Sequence, residues 1–402
     1  MTAFIPNTTK HSMRTSVRQL PVRLLIPLLS FFLIAGCDDP SNVGQGLVDS
    51  QAGETRILEM DATSFEANEL ADLTGGNTAS GSFYALFGQV DDPVAGNMIA
   101  TGVVDFVPES QFSTAFTGGI VNFAELQFNI EYLYGDTTSA IQFELLPILS
   151  PWESSTLRSD STIQTGTSIA TYSVAASKGI TKITLPQSWV SNFDQLLRSS
   201  GFSDEFHGFV IQPIASGAIA GIRFTNSQLR ATAVPGDTTT YVLSKVGTLT
   251  APLSSSIEDV VLLHDAGRSG LDIRFPIAGS ESEPLMIHRV RMAFQAMNLA
   301  DRYPTGFVRS FPASVGLRAV SNDGLTRLDI LEVPINADGA FSFDNGTLTN
   351  IFQSANLEKS VLDRFEIYLP TDQSGVGFLA FPATAGLGST FPTAELTVTP
   401  IN

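Results

Sequence analysis

The stretch Phe123-Ala124-Glu125-Leu126-Gln127-Phe128-Asn129-Ile130-Glu131-Tyr132-Leu133 decides the fold. Leu126, Phe128 and Ile130 fall on one side of an extended chain. Glu125, Gln127, Asn129 and Glu131 fall on the other. A period of two is that of a strand with one face in a core and one in water. Half-buried strands of this kind belong to antiparallel sheets. Tyr132 and Leu133 then lead into a Gly135-Asp136 turn.

The same grammar runs outward on both sides. Upstream, strands are expected at Thr55–Met60, Phe83–Val90 and Ile99–Phe106. Downstream they are expected at Ile141–Ile148, Ile180–Leu185, Gly208–Ile211, Ile219–Phe224 and Gln228–Val234. One helix is expected at Ser188–Ser199, where Trp189, Phe193, Leu196 and Leu197 share a helical face. A Trp-Phe-Leu stripe of that kind is read as core packing.

The second half repeats the pattern. Its strands are expected at Val260–Leu263, Leu271–Phe275, Ile287–Ala296, Val315–Val320, Arg327–Ile335, Phe365–Leu369, Gly377–Phe381 and Glu395–Thr399, with a helix at Leu348–Val361. In both halves a helix precedes two matching strands, Gly208–Pro213 and Gln228–Pro235 in one, Phe365–Pro370 and Glu395–Pro400 in the other. The expected fold is all-β, with two tandem antiparallel β-sandwich (jelly-roll-like) domains, each with a short helix. The boundary is placed near Thr248–Ser256, giving domains 53–247 and 248–402. One large sandwich is the alternative.

The 402 residues agree with this class. Gly 33, Pro 21 and Phe 28 favour strands and turns. Charged residues make up 15%, against about 25% in ordinary soluble domains. A formal charge of −18 argues against nucleic acid as a partner, since phosphate binding needs a basic surface. One cysteine makes no intramolecular disulfide and no cysteine-based zinc site.

That cysteine explains the first segment. Lys10, Arg14, Arg18 and Arg23 precede the uncharged run Leu24–Gly36, LLIPLLSFFLIAG. Thirteen residues are too few to span a bilayer, which takes about 20. They suit the apolar region of an export signal. Ile34-Ala35-Gly36-Cys37 resembles the lipobox of bacterial lipoproteins, which implies cleavage after residue 36 and lipidation of Cys37. Removing four basic residues and no acid takes the charge to −22. Residues 37–52 read as a lipidated tether, with the membrane as a partner through the N-terminal lipid. Asp38 and Asp39 fit either inner-membrane retention or export to the outer face of the outer membrane. The second is favoured, with surface display.

Three further features carry a wider resemblance. They are the acidic start after Cys37, the step Gly88-Gln89-Val90-Asp91-Asp92-Pro93, and the segment Phe202–Ile211, FSDEFHGFVI. With them the chain resembles a domain-of-unknown-function family of outer-membrane lipoproteins. Ala124-Glu125-Leu126 and Pro151-Trp152-Glu153 resemble jelly-roll modules of secreted bacterial proteins, some of which bind polysaccharide. The resemblance covers mainly residues 37–245 and carries over no catalytic residue.

No catalytic constellation stands out. There is no GxSxG elbow, GxGxxG loop or Walker loop, and no pair of acids is singled out by spacing. His207, His264 and His288 show no metal-ligand spacing. Asp91-Asp92, Asp136, Asp323 and Asp338-Gly339 could reach calcium but read as turns. Trp152 is the leading loop aromatic for stacking on a sugar, with a buried tryptophan as the alternative. The expectation is a non-enzymatic binding or structural module with no cofactor and no assigned ligand residue. A glycan or an envelope protein is the possible partner. The alternatives are a glycan-binding component of polysaccharide uptake, or a polysaccharide hydrolase or lyase.

Overall fold

The computed structural model describes residues 54–69, 76–77, 84–158, 161–251, 255–264, 269–276, 285–321, 323–357, 362–370, 375–383 and 391–401. Cys37 and the segments expected to be an export signal and a tether lie outside them. Every strand pairing among the described residues is antiparallel. The protein is all-β, with a few short helices.

The largest sheet has eleven strands. At its centre Ile120–Asp136 pairs with Ala218–Val234. The latter is one strand where two were expected, with a register shift between Arg223 and Gln228. Before the shift it pairs with Tyr84–Asp92, and after it with Asp237–Thr250. Gly96–Pro108 exchanges partners in the same way. Strands that switch partners turn the corners of a sandwich. They wrap a core that includes Phe87, Phe106, Phe128, Phe143 and Phe209. Helix Gln187–Leu197 closes this core. It buries Trp189, Val190 and Leu197, and Trp189 stacks on Phe193 at 4.7 Å between centroids. This is the packing role expected of that stripe.

The second core lies under two smaller sheets. One runs Arg56–Asp61, Thr393–Pro400, Leu285–Gln295, Ala340–Asp344. The other runs Arg327–Pro334, Ser314–Ser321, Leu362–Tyr368, Ser269–Arg274, Ser64–Glu69. Helix Gly346–Asn356 packs Leu348, Ile351, Phe352 and Ala355 into it. The Asn345 side chain accepts from the Leu348 N–H at 2.8 Å and so begins the helix.

The expected division of the chain differs from this pairing. Arg56–Asp61 and Ser64–Glu69 fall in the segment 53–247, yet both pair only with C-terminal strands. Residues Glu54–Asn402 form one compact unit. Period and propensity mark a strand but not its partner, and here the partner lies over 200 residues away.

A bulge welds the halves. In Ile120–Asp136 the register shifts so that Ile222 faces Ile130 while Gly221 faces Tyr132. The extra residue, Glu131, reverses the side on which later residues point. Leu126, Phe128, Ile130 and then Leu133 enter the first core. Tyr132 and Tyr134 enter a separate cluster with Leu262, Leu299, Val376 and Phe378 of the C-terminal half. Asp92 locks this seam. Its Oδ2 accepts from the Tyr134 hydroxyl at 2.6 Å, and its Oδ1 from the Tyr303 hydroxyl at 3.0 Å. Oδ1 also accepts from the N–H groups of Val94 and Ala95, both at 2.8 Å. Nearby, the Tyr132 hydroxyl accepts from Ser310 Oγ at 2.8 Å and the Val376 N–H at 3.0 Å.

Candidate ligand-binding site

A cavity of about 720 Å³ opens beside this seam. Its first wall is the connection after Leu285–Gln295. Asn298 Oδ1 accepts from the Ala300 N–H at 3.0 Å and starts a single 3-10 turn, Ala300–Arg302. Pro304 then holds Tyr303 extended, at φ −103 and ψ 138. Gly306, at φ +90, completes a turn closed by the Phe307 N–H to Pro304 oxygen bond at 3.1 Å. Phe307–Val308 adds a short strand to Gly135 and Asp136 of the first half. Phe307, Arg309 and Phe311, two residues apart, all line the cavity, while Ser310 reaches Tyr132.

The second wall is the hairpin turn Ile335–Gly339, tied by the Gly339 N–H to Asn336 oxygen bond at 2.9 Å. The third is Phe378–Ala380, held by the Met297 N–H to Ala380 oxygen bond at 2.8 Å. A smaller cavity of about 480 Å³ adjoins at Asn336 and is lined by Arg291, Gln295, Ser342, Phe391 and Thr393, among others.

Arg309 is the chemical centre of the larger cavity. Its Cζ lies 4.1 Å from the Tyr303 ring centroid, 4.6 Å from Phe311 and 5.1 Å from Phe378. Ring faces attract the guanidinium through their negative π clouds. Its Nε is buried with no hydrogen-bond acceptor among the described residues. Among those residues it also has no carboxylate partner. Phe311 stands at the rim, 63% exposed. Tyr303 sits deeper, and burial pushes its hydroxyl well above the usual range. Tyr134 is raised for the same first reason, so both hydroxyls keep their protons and donate to Asp92. The aromatic floor is therefore fixed to the seam.

The residues singled out by sequence are placed otherwise. Trp152 is only 6% exposed, and its Nε1 donates to the His207 oxygen at 3.0 Å. Burial of this kind counts against it as a sugar platform. Lys245 Nζ donates to the Trp152 oxygen at 2.9 Å and lies 3.3 Å from Glu153. The turn aspartates stay apart. Asp136 accepts from the N–H and hydroxyl of Thr138, which hold its carboxyl below the usual range. Asp323 accepts from the Leu325 N–H and the Ser321 hydroxyl, and Asp338 from the Ala340 N–H. No cluster of three His, Cys, Asp or Glu fit to hold a metal exists among the described residues. His288 meets Thr399 across a strand pair at 2.8 Å. Asp265, beside His264, lies outside the described residues.

Asp105, beside this Trp152 cluster, makes a prediction of its own. Burial pushes its carboxyl up to about 6, outweighing the Phe106 N–H it accepts from and Lys245 at 4.0 Å. The folded chain then holds a proton that the unfolded chain has lost from about pH 4. Its contribution is fully present below about pH 4 and is lost as pH rises through about 6. Asp105→Asn is expected to stabilise the protein at pH 8 by about 2 kcal/mol and to flatten that slope. Denaturation midpoints at pH 4 and pH 8 measure both effects.

A comparison with protein-family models and with curated proteins finds no match for this chain.

Proposed function

We propose that this protein is a lipid-anchored binding module of the bacterial envelope. It is held at the outer membrane by lipid on Cys37 and takes a ligand in the cavity around Arg309. The observation that carries the binding role is a cation without an ionic partner among the described residues, clamped by aromatic rings in an open cavity. The cavity also falls within the roughly 300–1,000 Å³ common for small-molecule sites. The lipobox supports the anchor, and the domain-of-unknown-function lipoprotein resemblance supports the outer membrane. The glycan-uptake reading gains from Phe311, an exposed aromatic ring at the cavity rim. The reading is of a module without catalysis.

Cells grown with an alkyne fatty acid test the anchor. The wild-type protein is expected to take the label and to sediment with the outer membrane. Cys37→Ala is expected to lose the label and leave that fraction. Labelling that survives Cys37→Ala would overturn the lipid anchor, and full protection from protease on intact cells would overturn surface display.

A further inference from the structure

We infer that the ligand is an acidic glycan, a chain of sugar rings bearing carboxylates, lying across both cavities. This rests on the reading of the Arg309 cavity as a binding site. The Arg309 Cζ lies over the rings of Tyr303, Phe311 and Phe378, and what the guanidinium offers a ligand is its N–H donors. A guanidinium edge matches a carboxylate with two parallel hydrogen bonds.

The surroundings choose the kind of carboxylate. A phosphate is usually gathered by several cations or by a helix N-terminus. Here the larger cavity holds one guanidinium, no lysine and one carboxylate, that of Asp338 on the hairpin turn, which accepts from the Ala340 N–H. Its other polar side chains include Asn298, Asn336 and Thr305, amides and a hydroxyl suited to sugar hydroxyls. Phe311 adds an exposed flat ring at the rim, on which the C–H face of a pyranose can lie.

The second cavity extends the argument. It meets the first at Asn336 and presents Arg291. Arg291 likewise makes no ion pair among the described residues, although Asp344 and Glu395 stand opposite it on the two neighbouring strands. Two such arginines in adjoining cavities suit a ligand with repeated negative charge. At physiological ionic strength the Debye length is about 8 Å, so the distant net negative charge of the protein is screened while a contact carboxylate is not.

The test uses the full-length lipidated protein in detergent micelles, captured on a biosensor. The probes are tetra-uronides of galacturonate, mannuronate, guluronate and glucuronate, their carboxyl-reduced neutral forms, galacturonate itself and poly-glutamate. At least one tetra-uronide is expected to bind, and its reduced form to bind at least about tenfold more weakly. Arg309→Gln is expected to cause a similar loss. Arg291→Gln is expected to weaken the tetramer but not the single sugar. Phe311→Ala, at an exposed position, keeps the test valid if an arginine variant folds poorly, and is expected to weaken every sugar. Equal binding of the reduced sugars overturns the acidic class while leaving the cavity as the site, provided Phe311→Ala still weakens them. Equal binding of poly-glutamate overturns the sugar. Binding unaffected by all three variants overturns the location, and failure of every tetra-uronide overturns the inference whatever Cys37 labelling shows.

Discussion

Glu366→Gln is expected to lower the stability of this protein by about 3–5 kcal/mol. Glu366 has no exposed surface, and Arg318 is 5% exposed. They sit opposite each other on neighbouring strands, with Asp272 next in the row. Arg318 Nε donates to Glu366 at 2.5 Å, and Arg364 donates to its other oxygen at 3.2 Å. Arg364 also lies 3.4 Å from Asp272. Two guanidinium groups thus meet on one fully buried carboxylate, and neutralising it removes the charge they share, while Arg364 keeps Asp272. Because desolvating an ion pair is itself costly, replacing Arg318 and Glu366 together by Met and Leu is expected to recover most of the loss. Urea midpoints for the single and paired variants measure this. A midpoint for Glu366→Gln within error of the wild type would refute it.

Asp92→Ala is expected to cost about 4 kcal/mol and to abolish ligand binding with it. The change removes the acceptor of two tyrosine hydroxyls and two backbone N–H groups at the seam. Each group left unsatisfied costs about 1–3 kcal/mol, and their sum is limited by relaxation and water entry. Tyr303 is at once a partner of Asp92 and the nearest of the three rings to Arg309, so the clamp and the cavity fail together. Tyr134→Phe removes one bond and leaves the Tyr303 bond in place. It is expected to cost about 1–2 kcal/mol and to spare the cavity. Chemical denaturation with a parallel binding measurement separates the two variants. Retained binding in Asp92→Ala would show that Tyr303 holds its place without the clamp.

The strand 123–133 was legible because its alternation is local. Its continuation was not, since the bulge at Glu131 reverses the sides without any change of composition. Glu366 was legible as strand but not as buried, because the outward position of an alternating strand reads as solvent. Ser64–Glu69 and Ala340–Asp344 were missed, being short and, in Ser64–Glu69, mostly polar. Asp237–Thr250 was missed because threonines and glycine surround Tyr241, Leu243 and Val246. The candidate site left a fainter signal. Tyr303, Phe307, Arg309 and Phe311 lie in a Pro- and Gly-punctuated connection that matches no motif. The period of two from Phe307 to Phe311 in an otherwise turn-rich stretch was the clue available. What it could not reveal is that Phe378, nearly 70 residues on, supplies the third ring.

The pairing of Arg56–Asp61 with Thr393–Pro400 also sets how the protein bears load. With the anchor proposed on Cys37, tension from the membrane enters the folded chain at Arg56. It passes across six cross-strand pairs, Arg56↔Val398 to Asp61↔Thr393, and through Thr393–Pro400 into Leu285–Gln295. That last strand leads directly into the connection that carries Tyr303 and Arg309. A pull between the membrane and a ligand held at Arg309 therefore runs through the C-terminal sheet that holds Arg56–Asp61 and meets the eleven-stranded sheet only at Phe307–Val308, next to Arg309. The hydrogen bonds between Arg56–Asp61 and Thr393–Pro400 are loaded in shear along the strands rather than unzipped one by one.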